Sequence, residues 1–222
     1  MLAIFAYTTG YGSWIGNSNW MTSSPHKEWQ GVGLHASTNR IVELIFIGNQ
    51  LAGPIPTELG LLDALANLSL NFNPLTGTIP TELGLLDALT TLDLKFNSFT
   101  GTIPTELGLL DALTNLSFSG NSLRGPIPTE LGLLDALTQL YLPSNSLTGP
   151  IPTELGELTA LTDLLLQENQ LTGPIPSELG LLNALNALVL QGGNNLSPPP
   201  AEVCIIVNRL GASGTDITTC PK

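Results

Sequence analysis

One phrase returns at a fixed interval along the chain, and this repetition limits the possible folds more than any other feature. The nine residues TELGLLDAL stand at 57–65 and recur unchanged at 81–89, 105–113 and 129–137, with edited copies at 153–161 and 177–185. An isoleucine keeps the same 24-residue period, at Ile55, Ile79, Ile103, Ile127, Ile151 and Ile175. Periods of about 20 to 50 residues are typical of solenoids, in which each repeat stacks only on its neighbours. We therefore predict a single solenoid domain.

Each part of the repeat predicts a local structure. The segment LANLSL at 65–70 alternates apolar and polar residues, as a strand with one buried face does, and its copies are expected to stack as a parallel sheet. We expect the asparagine after each strand to be buried and to bond backbone groups of its own and the next coil. These asparagines are Asn49, Asn73, Asn97, Asn121, Asn145 and Asn169, with Asn194 in the seventh copy after a one-residue slip. The segment IPTELG then predicts an inward isoleucine and a short helical turn started by the proline.

Composition and charge exclude several classes of partner. The 222 residues are 42% hydrophobic, which is enough for a core, and the net charge is -12 from 6 basic and 18 acidic residues. This charge argues against nucleic acid or an anionic membrane as a partner and leaves a cationic partner open. No apolar run approaches the roughly 20 residues that span a bilayer, so we expect no direct membrane insertion. The opening MLAIFAYTTGYGSW lacks a basic n-region, so we do not interpret it as a signal peptide.

The motif L-x-x-L-x-L-x-x-N-x-L-x-G-x-I-P-x-x-L-G resembles the plant-type leucine-rich repeat of receptor-kinase ectodomains, polygalacturonase-inhibiting proteins and many algal proteins. The resemblance covers residues 41–197. It implies an α/β fold: a right-handed solenoid of about seven coils, with a parallel sheet on the concave face and short 3-10 or helical turns on the convex face. It also implies an N-terminal cap at 1–40 and a C-terminal cap at 198–222, all within one structural domain. Three tryptophans are expected to cover the first coil: Trp14, Trp20 and Trp29.

The cysteines depart from this family at one end of the chain. Where its members usually carry a cysteine pair in the N-terminal cap, this sequence has Lys27 and Leu34. Cys204 and Cys220 are the only cysteines, and the resemblance implies that they form a disulfide in the C-terminal cap; two free thiols are the alternative. Such a bond implies an oxidising compartment, so we expect a secreted, cell-surface or organelle-lumenal protein. Asn-Leu-Ser sequons permit glycosylation at three positions, which are Asn67, Asn115 and Asn195.

The acidic residues concentrate in the repeated phrase, which holds 11 of the 18. On the resembled fold this phrase forms the convex back, where the carboxylates stay in water. A solvated face is the simplest interpretation, and a surface for ions or for a basic partner is the alternative. We expect the repetition itself to specify packing.

The copies differ from one another at the positions that the resemblance places on the concave face. Phe72 and Phe96 share one column, about 5 Å apart by strand spacing, and exposed aromatic residues beside mixed charges are typical of binding hot spots. The alternatives are an inward phenylalanine spine at the bend and unselected drift of this face. The predicted contact residues are Asn71, Phe72, Asp93, Lys95, Phe96, Gln139, Tyr141, Asp163 and Gln167.

No motif in the sequence predicts catalysis. The only histidines are His26 and His35, which have no neighbouring cysteine and no metal-ligand spacing. The sequence also has no Gly-rich phosphate loop and no nucleophile paired with a base. We expect a non-enzyme without cofactor or metal.

Three functions remain. The first is a recognition module that binds a protein, peptide or glycan on the concave face. The second is a structural or assembly subunit of a larger complex or matrix, which would use the acidic back or the flanks. The third is ice or surface binding by regular hydroxyl arrays, although glutamates interleave one array. The two threonine ladders are Thr57, Thr81, Thr105, Thr129 and Thr153, and Thr90, Thr114, Thr138 and Thr162.

Overall fold

The computed structural model describes residues 8–9, 30–211, 214–217 and 220. Within them the chain winds as a solenoid, with a strand of each coil on one side and a 3-10 helix on the opposite side. This arrangement confirms the predicted fold class. The cap boundaries at 1–40 and 198–222 stay predictions, and Trp14, Trp20, Trp29, His26 and Lys27 lie outside the described residues.

The main sheet has eight strands and forms the concave face. Its strands are β1 (Val32–Leu34), β2 (Ile41–Ile45), β3 (Asn67–Ser69), β5 (Thr91–Asp93), β7 (Asn115–Ser117), β9 (Gln139–Tyr141), β11 (Asp163–Leu165) and β13 (Ala187–Val189). They follow one another in that order, and all neighbours pair in parallel except β1, which lies antiparallel on β2 and closes the N-terminal edge. The predicted parallel stack of seven strands is thus confirmed, with one additional antiparallel strand.

Shorter strands follow the bend on the flank of the solenoid. They are β4 (Thr76–Thr78), β6 (Ser98–Thr100), β8 (Arg124–Gly125), β10 (Ser146–Gly149), β12 (Gln170–Gly173) and β14 (Asn195–Leu196). They form one sheet of two strands and one of four, both parallel. The glycine of each Leu-x-Gly turn has a positive φ where the chain leaves the flank, for example 83° at Gly77.

Six 3-10 helices form the convex back. Their bounds are Thr57–Leu61, Thr81–Leu85, Thr105–Leu109, Thr129–Leu133, Thr153–Glu157 and Ser177–Leu181. The proline expected to start each turn lies just before it in an extended conformation, as Pro104 does at φ -64° and ψ 134°. A Cβ at Gly108 would lie 2.4 Å from the carbonyl oxygen of Glu130 in the next coil. The glycine of the repeated phrase is therefore needed for the close packing of successive helices.

The core is a set of leucine columns that run the length of the solenoid. Leu68, Leu92, Leu116, Leu140 and Leu164 occupy the centre of successive strands and are fully buried. The isoleucine of each Ile-Pro segment is also buried, as predicted.

The asparagines after the strands form a continuous hydrogen-bonded ladder. The Asn97 side-chain amide donates to the carbonyl oxygens of Leu70 and Leu94, each at 3.0 Å, and its Oδ1 accepts from the Leu75 N–H at 3.2 Å. Leu70 and Leu75 belong to the preceding coil. The ladder is therefore confirmed, but from Asn73 onward each asparagine joins its own coil to the preceding coil and not to the next one. The expected burial is correct for three of them and wrong for the half-buried Asn97, Asn121, Asn145 and Asn194.

The last coil is covered by a helix and a disulfide. An α-helix (Ala201–Leu210) packs on the final 3-10 helix, and Cys204 is bonded to Cys220 with their Cα atoms 5.4 Å apart. The predicted disulfide is confirmed and the alternative of free thiols is wrong. Asp216 then accepts hydrogen bonds from the backbone N–H groups of Leu190, Gln191 and Gly192, at 2.7 to 2.8 Å, so these donors at the C-terminal edge of the main sheet stay satisfied.

Candidate functional site

The concave face presents side chains in columns because the seven parallel strands of the main sheet pair without a register shift. Ser69, Asp93, Ser117, Tyr141 and Leu165 follow one another in register across five neighbouring strands. From β3 to β13 these strands are only three residues long, so residues two or three positions further on lie at the edge of this face, where the chain turns. Backbone bonding between coils continues to that edge, since the Phe72 N–H donates to the Lys95 carbonyl at 3.0 Å.

Phe72 and Phe96 form an exposed aromatic pair at this edge. Their ring centroids are 4.7 Å apart, the ring planes differ by 22°, and the side chains are 52% and 48% exposed. The alternative of an inward phenylalanine spine is therefore wrong for these two residues. The buried phenylalanines are others, among them Phe99 and Phe118.

The backbone of this pair is held in a conformation that large side chains disfavour. Phe72 has a φ of 58° and Phe96 a φ of 53°. The same column holds glycines in the adjacent coils, Gly48 and Gly120, and then Ser144 and Glu168, at φ 56° and 57°. The left-handed conformation costs roughly 1–2 kcal/mol for a residue with a Cβ. A Cβ at Gly120 would lie 2.6 Å from the Phe96 ring, so the ring can pack there only because residue 120 is a glycine. Exposed aromatics kept in a strained conformation are expected where function requires them.

A charged pair lies beside the aromatic pair. Lys95 Nζ is 3.0 Å from the Asp93 carboxylate, which also accepts a hydrogen bond from the Lys95 backbone N–H at 3.2 Å. The Asp93 side chain is 15% exposed and that of Lys95 is 32% exposed. This partial burial holds the pair in one geometry.

Small residues separate the two halves of the predicted contact set. The coil after Phe96 presents Ser117, Ser119 and Gly120 at the face. Ser117 is 2% exposed and its Oγ has no hydrogen-bond partner; Oδ1 of Asn71 and Oε1 of Gln167 are also buried and unpartnered. Asn71 is 5% exposed, so it is the least accessible of the predicted contact residues.

The second half of the set gathers around Tyr141. Gln139 accepts a hydrogen bond from the Asn115 side chain, and the Thr162 hydroxyl donates to Asp163 at 2.6 Å. Burial, together with the negative charge of Asp163, raises the pKa of Tyr141 above its ordinary value of 10.0. The phenol is therefore a neutral hydrogen-bond donor at physiological pH.

The concave face carries more negative than positive charge. Glu43, Asp93, Asp163 and Glu168 lie on it or at its edge, and Lys95 is the one cation that the described part of the chain places there. Two residues of this face were left out of the predicted set. Ile47 is 56% exposed in the column of Asn71 and Lys95, and Glu168 accepts a hydrogen bond from Ser144 at 2.5 Å in the column of Phe72. Both could have been found from the sequence, because each lies one or more 24-residue periods from a residue of the predicted set.

The sequons differ in position. Asn67 and Asn115 lie within strands of the concave face, and Asn67 accepts a hydrogen bond from Ser69 at 2.7 Å. Asn195 begins β14 on the flank and is exposed. A glycan on either of the first two would cover the concave face.

The described residues offer no metal centre. Within residues 8–9, 30–211, 214–217 and 220, no three His, Cys, Asp or Glu side chains are grouped to hold a metal ion. No helix in that part of the chain is both long and apolar enough to cross a bilayer.

The family model described as Leucine Rich Repeat matches five consecutive segments, at 64–86, 88–110, 112–134, 136–158 and 160–182. A comparison with curated protein sequences finds no match.

Solved structures similar to this chain are plant repeat proteins. The PEPR1–AtPEP1 structure is 30% identical with a TM-score of 0.85, and the match covers 92% of this chain and 29% of that one. The Arabidopsis receptor kinase HAESA, in complex with the peptide hormone IDA and the co-receptor SERK1, is 32% identical with a TM-score of 0.83, covering 92% of this chain and 35% of that one. A plant ice-binding protein is 31% identical with a TM-score of 0.80, covering 91% of this chain and 64% of that one. The chain thus spans about a third of the two receptor chains.

Proposed function

Because this chain belongs to the leucine-rich repeat family, we propose that it is a non-catalytic recognition module that binds a protein or peptide on its concave face. The observation that carries the proposal is the exposed, stacked pair of Phe72 and Phe96, each at a positive φ. The positive φ belongs to this turn in every coil, since Ser144 and Glu168 share it with Gly48 and Gly120, so the turn itself does not require exposed phenylalanines. A partner that covers the rings would offset the strain, since aromatic residues dominate binding hot spots.

The rest of the face supports a polar rim around that apolar contact. Lys95 and Asp93 lie next to the rings, and the Tyr141 hydroxyl lies two coils beyond them. The excess of carboxylates favours a partner segment with positive charge.

The similar solved structures support a peptide or protein over a glycan. The HAESA structure is a complex with a peptide hormone and a co-receptor. The disulfide and these receptor neighbours also support an extracellular or organelle-lumenal location for this chain.

The test replaces the aromatic pair without disturbing the fold. Phe72→Gly with Phe96→Gly copies the residues of the adjacent coils, so the variant keeps the backbone conformation. Wild type and variant, each immobilised, are compared by affinity capture from the source material with mass spectrometry, after circular dichroism has shown equal folding. The proposal requires a specific partner that the variant loses. Unchanged capture of every specific partner by the variant would refute this site.

Ice or surface binding is a second candidate, favoured by exposed threonines on the flank. Thr76 and Thr78 of β4 are exposed, and the Thr-Gly-Thr sequence recurs one coil later with Thr100 and Thr102, an array that the sequence analysis overlooked. The plant ice-binding protein among the similar structures adds support.

The two ladders considered from the sequence contribute less to this candidate. The hydroxyls of Thr90, Thr114 and Thr138 each donate to a carbonyl of the preceding coil at 2.9 Å, so they serve the fold. Thermal hysteresis measured on wild type and on Thr78→Lys tests the candidate. Hysteresis that the variant loses would support it, and none in wild type would end it.

A further inference from the structure

A row of exposed leucines runs along the convex back, opposite the concave face. It consists of Leu61, Leu85, Leu109, Leu133 and Leu181, which are between 57% and 66% exposed. We refer to these residues as the leucine row. Each is the last residue of its 3-10 helix, and Glu157 takes the position in the fifth helix. At this position the repeated phrase keeps an apolar side chain in solvent.

Packing of the solenoid does not explain the leucine row. Within the third helix, Leu107 is fully buried and Gly108 lies against the Glu130 backbone of the next coil, which leaves Leu109 pointing to solvent. Glu157 occupies the same position with its neighbours Leu155 and Leu158 fully buried, so the coil closes equally well with a charged residue there. A polar residue would suit solvent better at every copy. Contiguous exposed apolar side chains on a soluble protein mark interaction sites.

Carboxylates flank the leucine row on both sides. A glutamate stands three residues before each leucine, and side chains three apart align along a 3-10 helix, so Glu106 lies beside Leu109. Asp111, two residues after Leu109, is exposed on the other side. The same arrangement repeats in the other leucine-bearing helices, with an asparagine in place of the aspartate at Asn183.

Few of the chain's cations neutralise these carboxylates. Arg40 forms an ion pair with Asp63 at the N-terminal end of the back. Of the other described cations, Lys95 pairs on the concave face and Arg209 donates to backbone carbonyls of Asn183 and Leu185. Arg124 belongs to β8 on the flank.

This combination of apolar and acidic rows selects the class of partner. A second copy of the chain would bring its own carboxylate rows against these, in a protein whose net charge is already -12, and like charges across an interface are repulsive. A partner with an apolar ridge between basic side chains would satisfy both rows. We infer that the convex back is a docking surface for a basic amphipathic α-helix of another protein, laid along the leucine row.

The spacing of the coils favours a helix over a strand in that partner. Neighbouring strands of the concave sheet lie about 4.8 Å apart, and successive coils lie no closer than this on the convex back. An α-helix rises about 5.4 Å per turn, so it offers nearly one apolar side chain per coil. At the strand spacing, the accumulated mismatch over the three intervals from Leu61 to Leu133 is about 2 Å. A strand advances about 6.7 Å between residues on one face, and its mismatch would be about 6 Å.

The experiment uses a synthetic 18-residue peptide of leucine and lysine with helical periodicity, labelled for fluorescence anisotropy. The full chain is titrated into it, and circular dichroism follows helix formation in the peptide. We expect saturable binding with induced helicity. Leu85→Ser with Leu109→Ser should weaken it at least tenfold, since a buried leucine accounts for about tenfold or more in affinity. Phe72→Gly with Phe96→Gly, on the opposite face, should leave it unchanged.

Two further comparisons make the test specific. Glu157→Leu fills the gap between Leu133 and Leu181, so it should tighten binding, whereas Glu154→Gln removes one carboxylate of the back without extending the leucine row and should not. A peptide of the same composition rearranged to strand periodicity should bind weakly.

Three results would overturn the inference. The first is that the rearranged peptide binds as tightly as the helical one. The second is that the helical peptide binds the Leu85→Ser, Leu109→Ser variant as tightly as wild type. The third is that wild type sediments as a dimer and this variant as a monomer, which would make a second copy of the chain the occupant.

Discussion

The asparagine ladder permits a quantitative test of how the coils are held together. In Asn97→Ala the carbonyl of Leu70 still accepts from Asn73 at 2.9 Å, and that of Leu94 still accepts from Asn121 at 3.0 Å. The Leu75 N–H, which donates to Asn97 Oδ1, loses its acceptor. The main cost is therefore one unsatisfied buried donor together with the lost bonds of the Asn97 amide.

From these contacts we expect Asn97→Ala to lower the free energy of unfolding by about 2–3 kcal/mol. Urea unfolding followed by circular dichroism measures the change, and hydrogen exchange at the Leu75 amide reports whether the loss is local. The faster exchange should be strongest at that amide, because it alone loses its only acceptor.

Asn71→Ala is the matched control. Asn71 is 5% exposed, more buried than the half-buried Asn97, and lies two residues before a ladder asparagine, but its Oδ1 has no partner. We expect it to lower the free energy of unfolding by under about 1 kcal/mol. If the two variants agree within about 0.5 kcal/mol, burial of an amide and not the ladder bonding sets the cost, and the reasoning is wrong.

Three further changes should have measurable effects. Gly108→Ala should lower the melting temperature markedly, since its Cβ would stand 2.4 Å from a backbone carbonyl oxygen of the next coil; a change below 1 °C would show that the helices can separate at little cost. Reduction of Cys204–Cys220, which are 16 residues apart, should destabilise the C-terminal cap by about 3 kcal/mol on the chain-entropy model, seen as faster hydrogen exchange in the final helix before the central coils. The pKa of Tyr141 is raised on folding, so its contribution to stability is present below the unfolded pKa near 10 and is lost as pH rises through the folded pKa. Near-ultraviolet titration should find a lower pKa for Tyr141 in Asp163→Asn. An unchanged pKa would exclude the Asp163 carboxylate as a cause.

The sequence predicted what depends on the period and missed what depends on local geometry. A fixed spacing is enough to locate Leu92 and Ile103 in the core and Asn97 in the ladder, because every coil must bury the same positions. The direction of the ladder toward the preceding coil depends on how the chain turns, which a repeated pattern does not encode.

Side-chain direction on the surface was harder to predict. A phenylalanine at the bend fits either an inward spine or an exposed pair, and the positive φ of Phe72 and Phe96 decides between them only once the backbone is known. In the run Leu-Gly-Leu-Leu both outer leucines are buried in the third coil, while Leu109 between them is exposed, which hydropathy alone does not reveal.

The two proposed surfaces use the two consequences of repeating one coil. On the back, identical copies align into rows, so an apolar row between carboxylate rows can match a partner that is itself periodic, such as a helix. On the concave face the copies differ, so each coil adds a distinct group and the surface can fit an irregular partner. The two lie on opposite sides of a close-packed core, and changes at well-separated sites add within about 0.5 kcal/mol. A chain built in this way can hold two partners at once, with the affinity for one unaffected by saturation with the other. Competition between a concave-face ligand and the leucine–lysine peptide would contradict this and would place both on the same surface.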